Sequence, residues 1–393
     1  MSDPIVIVAA ARTPMGSFQG AFAPLAATDL GGVAIKAAIE RAGIAPEQVN
    51  ELLFGCVLPA GQGQAPARQA GWKAGLPRSC GAVTLNKVCG SGMRATMFAH
   101  DMLAAGSADV VVAGGMESMT NAPYLLLKGR GGYRMGHDRV FDHMMLDGLE
   151  DAYEAGRSMG TFGEDCAAKY QFTRAQQDAF AATSVQRAQA AIAAGAFKAE
   201  IAPVAVKDRK GERVVDTDEA PGKISLDKIP TLKPAFKKDG TVTAASSSSI
   251  SDGAAALVLM RASTAKQLSC RPLARIAAHA VHSQAPEWFT TAPIGASEKA
   301  LARAGWKVGD VQLWEVNEAF AVVTMALMHD LKVPHAIVNV NGGACALGHP
   351  IGCSGARLIV TLLHALRARG LSKGLATLCI GGGEATAVAI EAL

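Results

Sequence analysis

Short apolar runs of strand length alternate with stretches of helical pattern, and this alternation constrains the fold more than any other feature of the sequence. In the first third of the chain the predicted strands are residues 4–9, 52–57, 84–88 and 108–114, and the predicted helices are 29–42 and 93–105. Strands that are apolar throughout are typical of sheets buried on both faces. Their alternation with helices predicts an α/β protein whose parallel sheet is covered by helices on both sides.

The last third of the chain repeats this order. Predicted helices 297–304, 319–331 and 355–367 alternate with predicted strands 311–315, 336–339 and 374–380, and a strand at 386–390 pairs with 374–380. Short segments also match between the two thirds, at spacings that drift only from 260 to 267 residues: Leu53-Phe54-Gly55 with Leu313-Trp314-Glu315, Ser91-Gly92 with Ser354-Gly355, and Gly115-Met116-Glu117 with Gly382-Gly383-Glu384. The sequence therefore predicts two similar halves related by duplication.

The middle of the chain interrupts the pattern. It contains an Ala- and Gln-rich predicted helix at 174–194, a Lys-rich irregular stretch at 207–233 and a run of serines at 246–249. Long irregular segments within a compact chain are often binding loops. The predicted division is a loop domain at 120–250, inserted in a first half made of 1–119 with 251–270, and a second half at 271–393.

Composition excludes several classes of protein. Half of the 393 residues are hydrophobic and the net charge is only +4, which argues against a disordered chain and against a nucleic-acid-binding surface. No uninterrupted apolar run reaches the roughly 18 residues of a membrane span. Residues 1–4 are not basic and the chain ends in Glu391-Ala392-Leu393, so neither a signal peptide nor a peroxisomal signal is expected. We predict a cytoplasmic protein without a nucleic-acid or membrane partner.

The spacing of cysteines and histidines predicts no metal site. The eight cysteines contain no C-x-x-C pair, which argues against zinc and against a disulfide framework. His137 with His143, and His279 with His282, have spacings that metal sites use, but the sequence shows no third ligand for either pair. The chain also lacks the glycine-rich cradles for dinucleotides and nucleoside triphosphates and the G-x-S-x-G nucleophile turn.

Cys89 is the strongest candidate nucleophile. It follows a predicted strand and precedes Gly90-Ser91-Gly92 and a predicted helix. The dipole of a helix lowers the pKa of a thiol at its N-terminus, so a thiolate is expected here. Flanking glycines allow a substrate carbonyl to approach backbone N–H groups, as an oxyanion hole requires. The alternative that this position alone leaves open is a buried, inert cysteine.

Three further residues complete a candidate site. His349, in the glycine-rich segment 341–355, can serve as base to a thiol or as donor to a carbonyl oxygen, or it can bond to local backbone only. Cys379 ends an apolar strand before a glycine turn, and a neutral thiol can both give and take a proton. Asn317 lies at a strand-to-helix junction, where it either caps the helix or holds a catalytic water. These residues predict thiol-based acyl transfer and leave the substrate open.

Nine segments spread over nearly the whole chain carry a family resemblance: AARTPMGSF, GQGQAPARQA, NKVCGSGMRA, VVVAGGMESM, LKPAFKKDGTVTA, SDGAAALV, EVNEAF, NGGACALGHPIGCSGAR and CIGGGEA. With them the chain resembles the thiolases, and within that family the short-chain acetoacetyl-CoA thiolases. The resemblance implies two αβαβα halves stacked in a five-layered core, with an inserted loop domain that covers coenzyme A. It also implies a homo-oligomer, a dimer or a dimer of dimers, with interface loops at 60–71 and 121–145.

The resemblance also implies a reaction and roles for the candidate residues. The reaction is reversible Claisen condensation of two acetyl-CoA to acetoacetyl-CoA and CoA, with ping-pong kinetics through acetylated Cys89. His349 activates Cys89, and Cys379 is the acid and base at the α-carbon. Asn317 holds a water that, with His349, stabilises the enolate oxygen, while the N–H groups of Cys89 and Gly381 form a second oxyanion hole. No cofactor is implied, because coenzyme A is a substrate and a product.

The resemblance places several residues along the substrate: Met159, Phe236, Ser248 and Phe320 in the pantetheine tunnel, and Phe289 where bacterial members usually have methionine. The sequence departs from the family pattern around this tunnel. Ser158 stands where histidine is usual, and the serine run replaces an Asn-Ala-Ser-Gly segment. The arginine usual near the nucleotide is absent, and Lys223 or Lys228 is its candidate replacement.

Three alternative functions remain open at this stage. A broad-range 3-ketoacyl-CoA thiolase of fatty-acid β-oxidation would share the mechanism with a roomier acyl pocket, although Met159 favours the short-chain type. Decarboxylating ketoacyl synthases share the fold but pair one cysteine with two histidines, whereas this chain has Cys379. Non-catalytic thiolase-like proteins that bind CoA or lipid typically lose the reactive residues, all of which are present here.

Overall fold

A computed structural model describes residues 3–208 and 211–393 of the chain. In that part the helices are α1 Ala27–Ala42, α2 Pro66–Lys73, α3 Ser91–Ala104, α4 Met159–Tyr170, α5 Arg174–Ala193, α6 Ala262–Gln267, α7 Ala292–Ala304, α8 Ala321–Leu331, α9 Ala344–Leu347 and α10 Ile351–Ala368. The strands are β1 Ile5–Arg12, β2 Gly16–Ser17, β3 Glu51–Gly55, β4 Gly81–Leu85, β5 Val110–Ser118, β6 Tyr124–Leu125, β7 Phe141–Asp142, β8 Val204–Asp208, β9 Gly211–Val215, β10 Ser251–Arg261, β11 Ala274–Ser283, β12 Leu313–Val316, β13 Lys373–Ile380 and β14 Glu384–Ala392.

A ten-stranded sheet, counted over the described residues, forms the framework. Nine strands follow the order β12-β13-β14-β11-β1-β10-β5-β3-β4, and β2 pairs with β10. The part from β1 to β4 joins the part from β12 to β11 through only two residue pairs, Val6 with Arg275 and Ile7 with Ala274. The prediction of a parallel sheet was wrong for most of it: only the pairs β3–β4, β3–β5 and β12–β13 are parallel, and the others are antiparallel.

Alternate residues of the strands face different hydrophobic layers. Val110 and Val112 on β5 pack with α1 and α2, whereas Val111 and Ala113 pack with α3 and α10. In the other part of the sheet, Leu375 on β13 belongs to the core beneath α7 and α8. The order of layers is therefore helices α1 and α2, sheet, helices α3 and α10, sheet, and helices α7 and α8. This arrangement confirms the predicted α/β class and its five layers.

Helix α10 is the most buried helix of the middle layer. Among the described residues it is the one helix long and apolar enough to cross a membrane by length and composition, with a mean hydropathy of 1.2. Inside the protein, 83% of that segment is buried, and its side chains pack against α3 and both parts of the sheet. Packing in a protein core therefore accounts for its apolar composition.

The strand predicted at 336–339 is not formed. The chain makes a 3₁₀ turn at His335–Ile337 and a single bridge between Trp314 and Val338. Asn339 has a φ of 47°. Its side-chain amide accepts from the backbone N–H of Val316 and donates to the carbonyl of Val316, both at 2.8 Å. The Asn339 side chain thus satisfies the N–H and C=O of Val316, which a fifth strand beside β12 would otherwise have paired. This explains why the two halves differ here.

Other differences between the predicted and the observed structure concern the bounds or the type of individual elements. The structure places β4 about three residues before the predicted strand, and α2 begins inside the predicted 60–71 loop. Part of the stretch predicted as irregular at 207–233 is strand, because β8 and β9 form a hairpin; Arg209 and Lys210 lie outside the described residues. Strands β10 and β11, which lie on either side of β1 in the sheet, were not predicted as strands.

Glycines allow the middle layer to approach the sheet closely. An added Cβ on Gly115 of β5 would overlap the carbonyl oxygen of Gly352 in the first turn of α10. A Cβ on Gly92 in α3 would lie 2.9 Å from the same oxygen. Because neither contact leaves room for a methyl group, these glycines fix how close the starts of α3 and α10 lie to each other and to β5.

We expect Gly115→Ala to destabilise the protein, because the new methyl group must displace backbone rather than a flexible side chain. Overpacking of this kind costs about 1–3 kcal/mol or more. Thermal unfolding monitored by circular dichroism would show a lower midpoint. Gly309→Ala is the matched control, since an added Cβ there meets no atom within 4 Å. Equal midpoints for the two variants would contradict the close contact described here.

Candidate active site

Cys89 is presented by a strained turn between β4 and α3. The preceding residue, Val88, has a φ of 45°, which is a rare conformation for a β-branched residue. The turn is held by the Asn86 side chain, which accepts from the N–H of Val88 at 2.9 Å, and by the Ser91 hydroxyl, which donates to the carbonyl of Val88 at 2.7 Å. Strain of about 1–3 kcal/mol in such a position is typical of functional sites.

The surroundings of the Cys89 sulfur combine burial with two backbone donors. The N–H groups of Cys89 itself and of Gly381 both point at the thiol. They favour the thiolate, but burial outweighs them and raises the pKa of Cys89 to about 11. The expectation of a lowered pKa was therefore wrong, because desolvation exceeds the effect of the helix N-terminus. Cys89 rests as a neutral thiol at neutral pH.

His349 lies just before α10, and its hydrogen bonds assign its tautomer. The Ser354 hydroxyl donates to the carbonyl of Pro350 at 2.9 Å and therefore accepts from Nδ1–H of His349. This leaves Nε2 without a proton, facing Nδ2 of Asn317 at 3.4 Å. Burial, with a smaller effect of Arg357, lowers the pKa of His349 to about 3. The imidazole is thus neutral, and its Nε2 lone pair accepts a long hydrogen bond from the Nδ2–H of Asn317.

The starts of α3 and α10 bring Cys89 and His349 to the same place. Besides the contact of Gly92 with Gly352, Cys89 packs in one hydrophobic cluster with Ile351, two residues after His349. The interpretation of His349 as a histidine bonded to local backbone only does not hold, because its side chain contacts Ser354 and Asn317.

Asn317 is fully buried and offers an unpartnered acceptor. Its backbone N–H donates to the carbonyl of Thr377 at 3.0 Å, which fixes the residue at the end of β12 beside β13. Its Oδ1 has no hydrogen-bond partner among the described residues. Buried acceptors without a protein partner usually bind water. Asn317 is not the N-cap of the next helix, since that position belongs to Phe320.

Cys379, near the end of β13, is buried beside Cys89. Burial, together with the nearby Cys89 and Cys166 thiols, raises its pKa well above the ordinary value for cysteine, so this thiol is also neutral at rest. It belongs to a hydrophobic cluster that contains four of the predicted substrate residues: Met159, Phe236, Phe289 and Phe320. The structure thus brings Cys379 and these four side chains together.

Helix α4 and two aromatic pairs close this cluster. The ring of Phe236 packs on Gly160 and crosses the ring of Phe320 edge-on, with centroids 5.8 Å apart. Phe162 and Phe289 make a second edge-on pair, also at 5.8 Å. Phe289 is 3% exposed and Phe320 is 8% exposed, so the wall beside Cys379 is tightly packed.

An apolar groove of about 550 Å³ lies next to the segment that carries His349. Lys223 and Lys228 lie along it with Ala244, Ala245, Ser249 and Ile250. The carbonyl of Ser249 accepts from the N–H of His349 at 3.1 Å, which places one part of the groove beside the histidine. The predicted residue Ser248 donates to the carbonyl of Ala319, next to Phe320. Lys228 therefore lines the groove and is not part of the aromatic cluster.

The two lysines of the groove differ in their partners. Lys223 makes an ion pair with Glu219 at 2.6 Å. Within the described part of the chain, Lys228 has no carboxylate partner, so its ammonium group faces solvent at the groove. Lys223 and Lys228 are the two predicted replacements for the missing arginine. The charge of Lys228 is the more available of the two for binding an anion.

Sequence reasoning missed two residues that support the site. Ser354 sets the tautomer of His349. Glu117 is fully buried at the end of β5, where it accepts from the N–H groups of Val57 at 2.9 Å, Leu58 at 3.1 Å and Gly352 at 2.8 Å, and so holds the start of α10. A carboxylate at the end of a wholly apolar strand was the available signal for Glu117.

Comparisons with known proteins agree with this architecture. Residues 5–263 match the family model for the thiolase N-terminal domain, and residues 270–392 match that for the thiolase C-terminal domain. The acetyl-CoA acetyltransferase of Shinella zoogloeoides is 50% identical and that of Rhizobium meliloti 51% identical, each over the full length of both chains. A crystal structure of the Bacillus anthracis acetyl-CoA acetyltransferase superposes with a TM-score of 0.96 at 40% identity, covering 100% of this chain and 99% of that one.

The chain therefore belongs to the thiolase family of acyltransferase enzymes, which confirms the family resemblance.

We expect alkylation of Cys89 by iodoacetamide to accelerate about tenfold per pH unit between pH 6 and 9, because only the thiolate reacts and its pKa is about 11. Peptide mapping would identify the site, since Cys89 is the only one of the eight cysteines, all within the described residues, that is not buried. Cys89→Ala provides the background rate. A rate that is already constant near pH 7 would show a resting thiolate and contradict the structure.

Proposed function

We propose that this thiolase is an acetyl-CoA C-acetyltransferase, which condenses two acetyl-CoA to acetoacetyl-CoA and CoA and catalyses the reverse thiolysis. One observation carries the proposal: the Cys89 thiol, two backbone N–H groups and the Cys379 thiol converge at the wall formed by Met159, Phe236, Phe289 and Phe320. Relatives at about 50% identity over their full length carry the same activity in their names.

The first step of thiolysis uses Cys89 and His349. Nε2 of His349 takes the thiol proton as the sulfur attacks the 3-keto carbon of acetoacetyl-CoA. The developing oxyanion accepts from the N–H groups of Cys89 and Gly381, a contribution that is typically worth about 10²–10³ in rate per donor. The Cys89 thiol and the His349 imidazole are both neutral at rest. Charge therefore develops only when the substrate is bound and its oxygen takes up the negative charge.

The second step breaks the bond between C2 and C3. The acetyl group stays on Cys89 as a thioester, and the electron pair passes to the enolate of acetyl-CoA. Nε2–H of His349 and a water held by Oδ1 of Asn317 stabilise the enolate oxygen, while Cys379 gives its proton to C2. The thiol of a second CoA returns a proton to Cys379 and attacks the carbonyl carbon of acetyl-Cys89. Acetyl-CoA forms, Cys89 leaves as a thiolate, and Nε2–H of His349 returns the proton to it. Condensation follows the same steps backwards.

The groove supplies the binding site for CoA in this proposal. Its apolar lining suits the pantetheine arm, and Lys228 provides a cation for a phosphate of the nucleotide. Ser248 and Ser249 join the groove to Phe320 and His349, so the thioester end reaches the sulfur atoms. The mechanism needs no metal or other cofactor, because protein groups and CoA carry every proton and acyl transfer.

We extend the proposal to assembly and setting, with a homo-oligomer in the cytoplasm that serves fatty-acid metabolism. Large apolar side chains on the predicted interface loop support the assembly: Leu126, Leu127 and Val140 are each more than half exposed. At the edge strand β4, Val83 is 44% exposed. Large apolar side chains left exposed in this way are ones that an interface between protomers would bury.

We expect acid-quenched protein that has been mixed with acetoacetyl-CoA to carry one acetyl group on the peptide that contains Cys89. Cys89→Ala would lose the label and about 10³-fold or more of turnover. Cys80→Ala is the control, because Cys80 lies in a separate core and should leave labelling unchanged. Full turnover in Cys89→Ala, or acetyl on another residue, would overturn the mechanism.

Chain length distinguishes the proposal from a broad-range 3-ketoacyl-CoA thiolase. Because the wall beside Cys379 is tightly packed, we expect kcat/KM for thiolysis of acetoacetyl-CoA to exceed that of a ten-carbon 3-ketoacyl-CoA by about 100-fold. Phe289→Ala should narrow this ratio by opening the wall. Faster cleavage of the long substrate by the unaltered enzyme would assign it to β-oxidation. A 2-methylated substrate, measured alongside, defines tolerance to branching.

A further inference from the structure

A cluster of three potential metal ligands lies outside the active site. His100 and Asp101 are neighbours on α3, and His279 faces them from β11. The spacing in the sequence pairs His279 with His282 as possible metal ligands. In the structure, however, His282 contacts Gln284 and lies against Gly295. Both ligands that join His279 thus come from a helix about 180 residues away in the chain, which the spacing of histidines in the sequence could not show.

The three donor atoms form a nearly equilateral triangle. Nε2 of His279 lies 3.1 Å from Nδ1 of His100 and 2.9 Å from Oδ1 of Asp101, and Nδ1 of His100 lies 3.2 Å from Oδ1 of Asp101. Around an ion bonded at about 2.1 Å, donor atoms are separated by about 3.0 Å in octahedral and about 3.4 Å in tetrahedral geometry. The three separations are therefore compatible with one ion bonded to all three atoms.

The environment of the cluster suits a partly solvated cation. The side chain of His279 is 13% exposed, that of His100 24% and that of Asp101 52%, so one side is open to water. The Asp101 carboxylate offsets the positive charge of Arg94, which lies near His279.

We propose that His100, Asp101 and His279 bind one divalent transition-metal ion, with zinc as the best fit, and that water completes its coordination. Two imidazoles and one carboxylate are a common ligand set for such ions. The ion would join α3, which begins two residues after Cys89, to β11. Strand β11 pairs through β14 with β13, the strand of Cys379. The site therefore links the element that presents one reactive thiol to the sheet that carries the other.

The test is zinc binding by the full-length protein after chelator treatment and alkylation of Cys89, which removes the accessible thiol as a competing ligand. Isothermal titration with Zn²⁺ should show one site per chain, and Co²⁺ should give the visible absorption of a low-symmetry site. His279→Asn and His100→Asn should each weaken binding by more than the about 10- to 100-fold that loss of an outer-shell partner costs.

His329→Asn is the matched control, because His329 also contacts a neighbouring carboxylate, Asp330 at 2.8 Å, but among the residues of 3–208 and 211–393 no second imidazole joins it there. It should bind zinc as the unaltered protein does. Zinc should also raise the thermal midpoint of the unaltered protein and of His329→Asn, and leave the His100 and His279 variants unchanged. Circular dichroism and metal-free midpoints establish that the variants are folded.

The proposal fails if zinc does not bind, or if binding and the thermal shift persist in the double variant H100N/H279N. Either result would leave the cluster as a hydrogen-bonded contact between α3 and β11. Turnover of non-alkylated protein does not enter this test, so its outcome is independent of the acetyl-transfer proposal.

Discussion

The close approach of two helix starts is the contact on which the site depends. Helices α3 and α10 meet near their first turns through Gly92 and Gly352, and Gly115 lets β5 approach the same point. Cys89 immediately precedes one helix region and His349 the other, so the contact brings together two residues 260 positions apart. Glu117 holds this junction through three backbone N–H groups. The middle layer is therefore both the core of the fold and the support of the chemistry.

Burial determines the protonation state of the Cys89 and Cys379 thiols and of the His349 imidazole at this junction. Burial raises the pKa of the Cys89 and Cys379 thiols and lowers that of His349, so all three groups are neutral at rest. The hydrogen-bond donors that stabilise the developing charge are already in position. A preorganised site of this kind stabilises charge where it develops and avoids the cost of keeping an ion out of water. The strained turn at Val88 adds to this arrangement, because it directs the sulfur toward the N–H of Gly381.

Much of the fold and the residues of the candidate site could be predicted from sequence, their roles remain predictions, and the exceptions have physical causes. Wholly apolar strands such as β5 were evident, and Cys89, His349 and Cys379 stood beside glycines that reveal unusual backbone. The direction of the Cys89 pKa shift could not be predicted, because desolvation depends on segments distant in the chain. Asn339 also misled the strand prediction, since its side chain pairs with Val316 in place of a strand. The cluster at His279 required knowledge of which helix packs on β11.

The side chain of Asn339 also makes the two ends of the sheet chemically unequal. It caps β12, so one end of the sheet is sealed, whereas β4 at the other end keeps an open edge. Unpaired backbone groups along an edge strand are a template for pairing with a further strand, whereas satisfied groups are not. The two ends of the sheet thus differ in their capacity for edge-to-edge pairing, and a single asparagine side chain accounts for much of that difference.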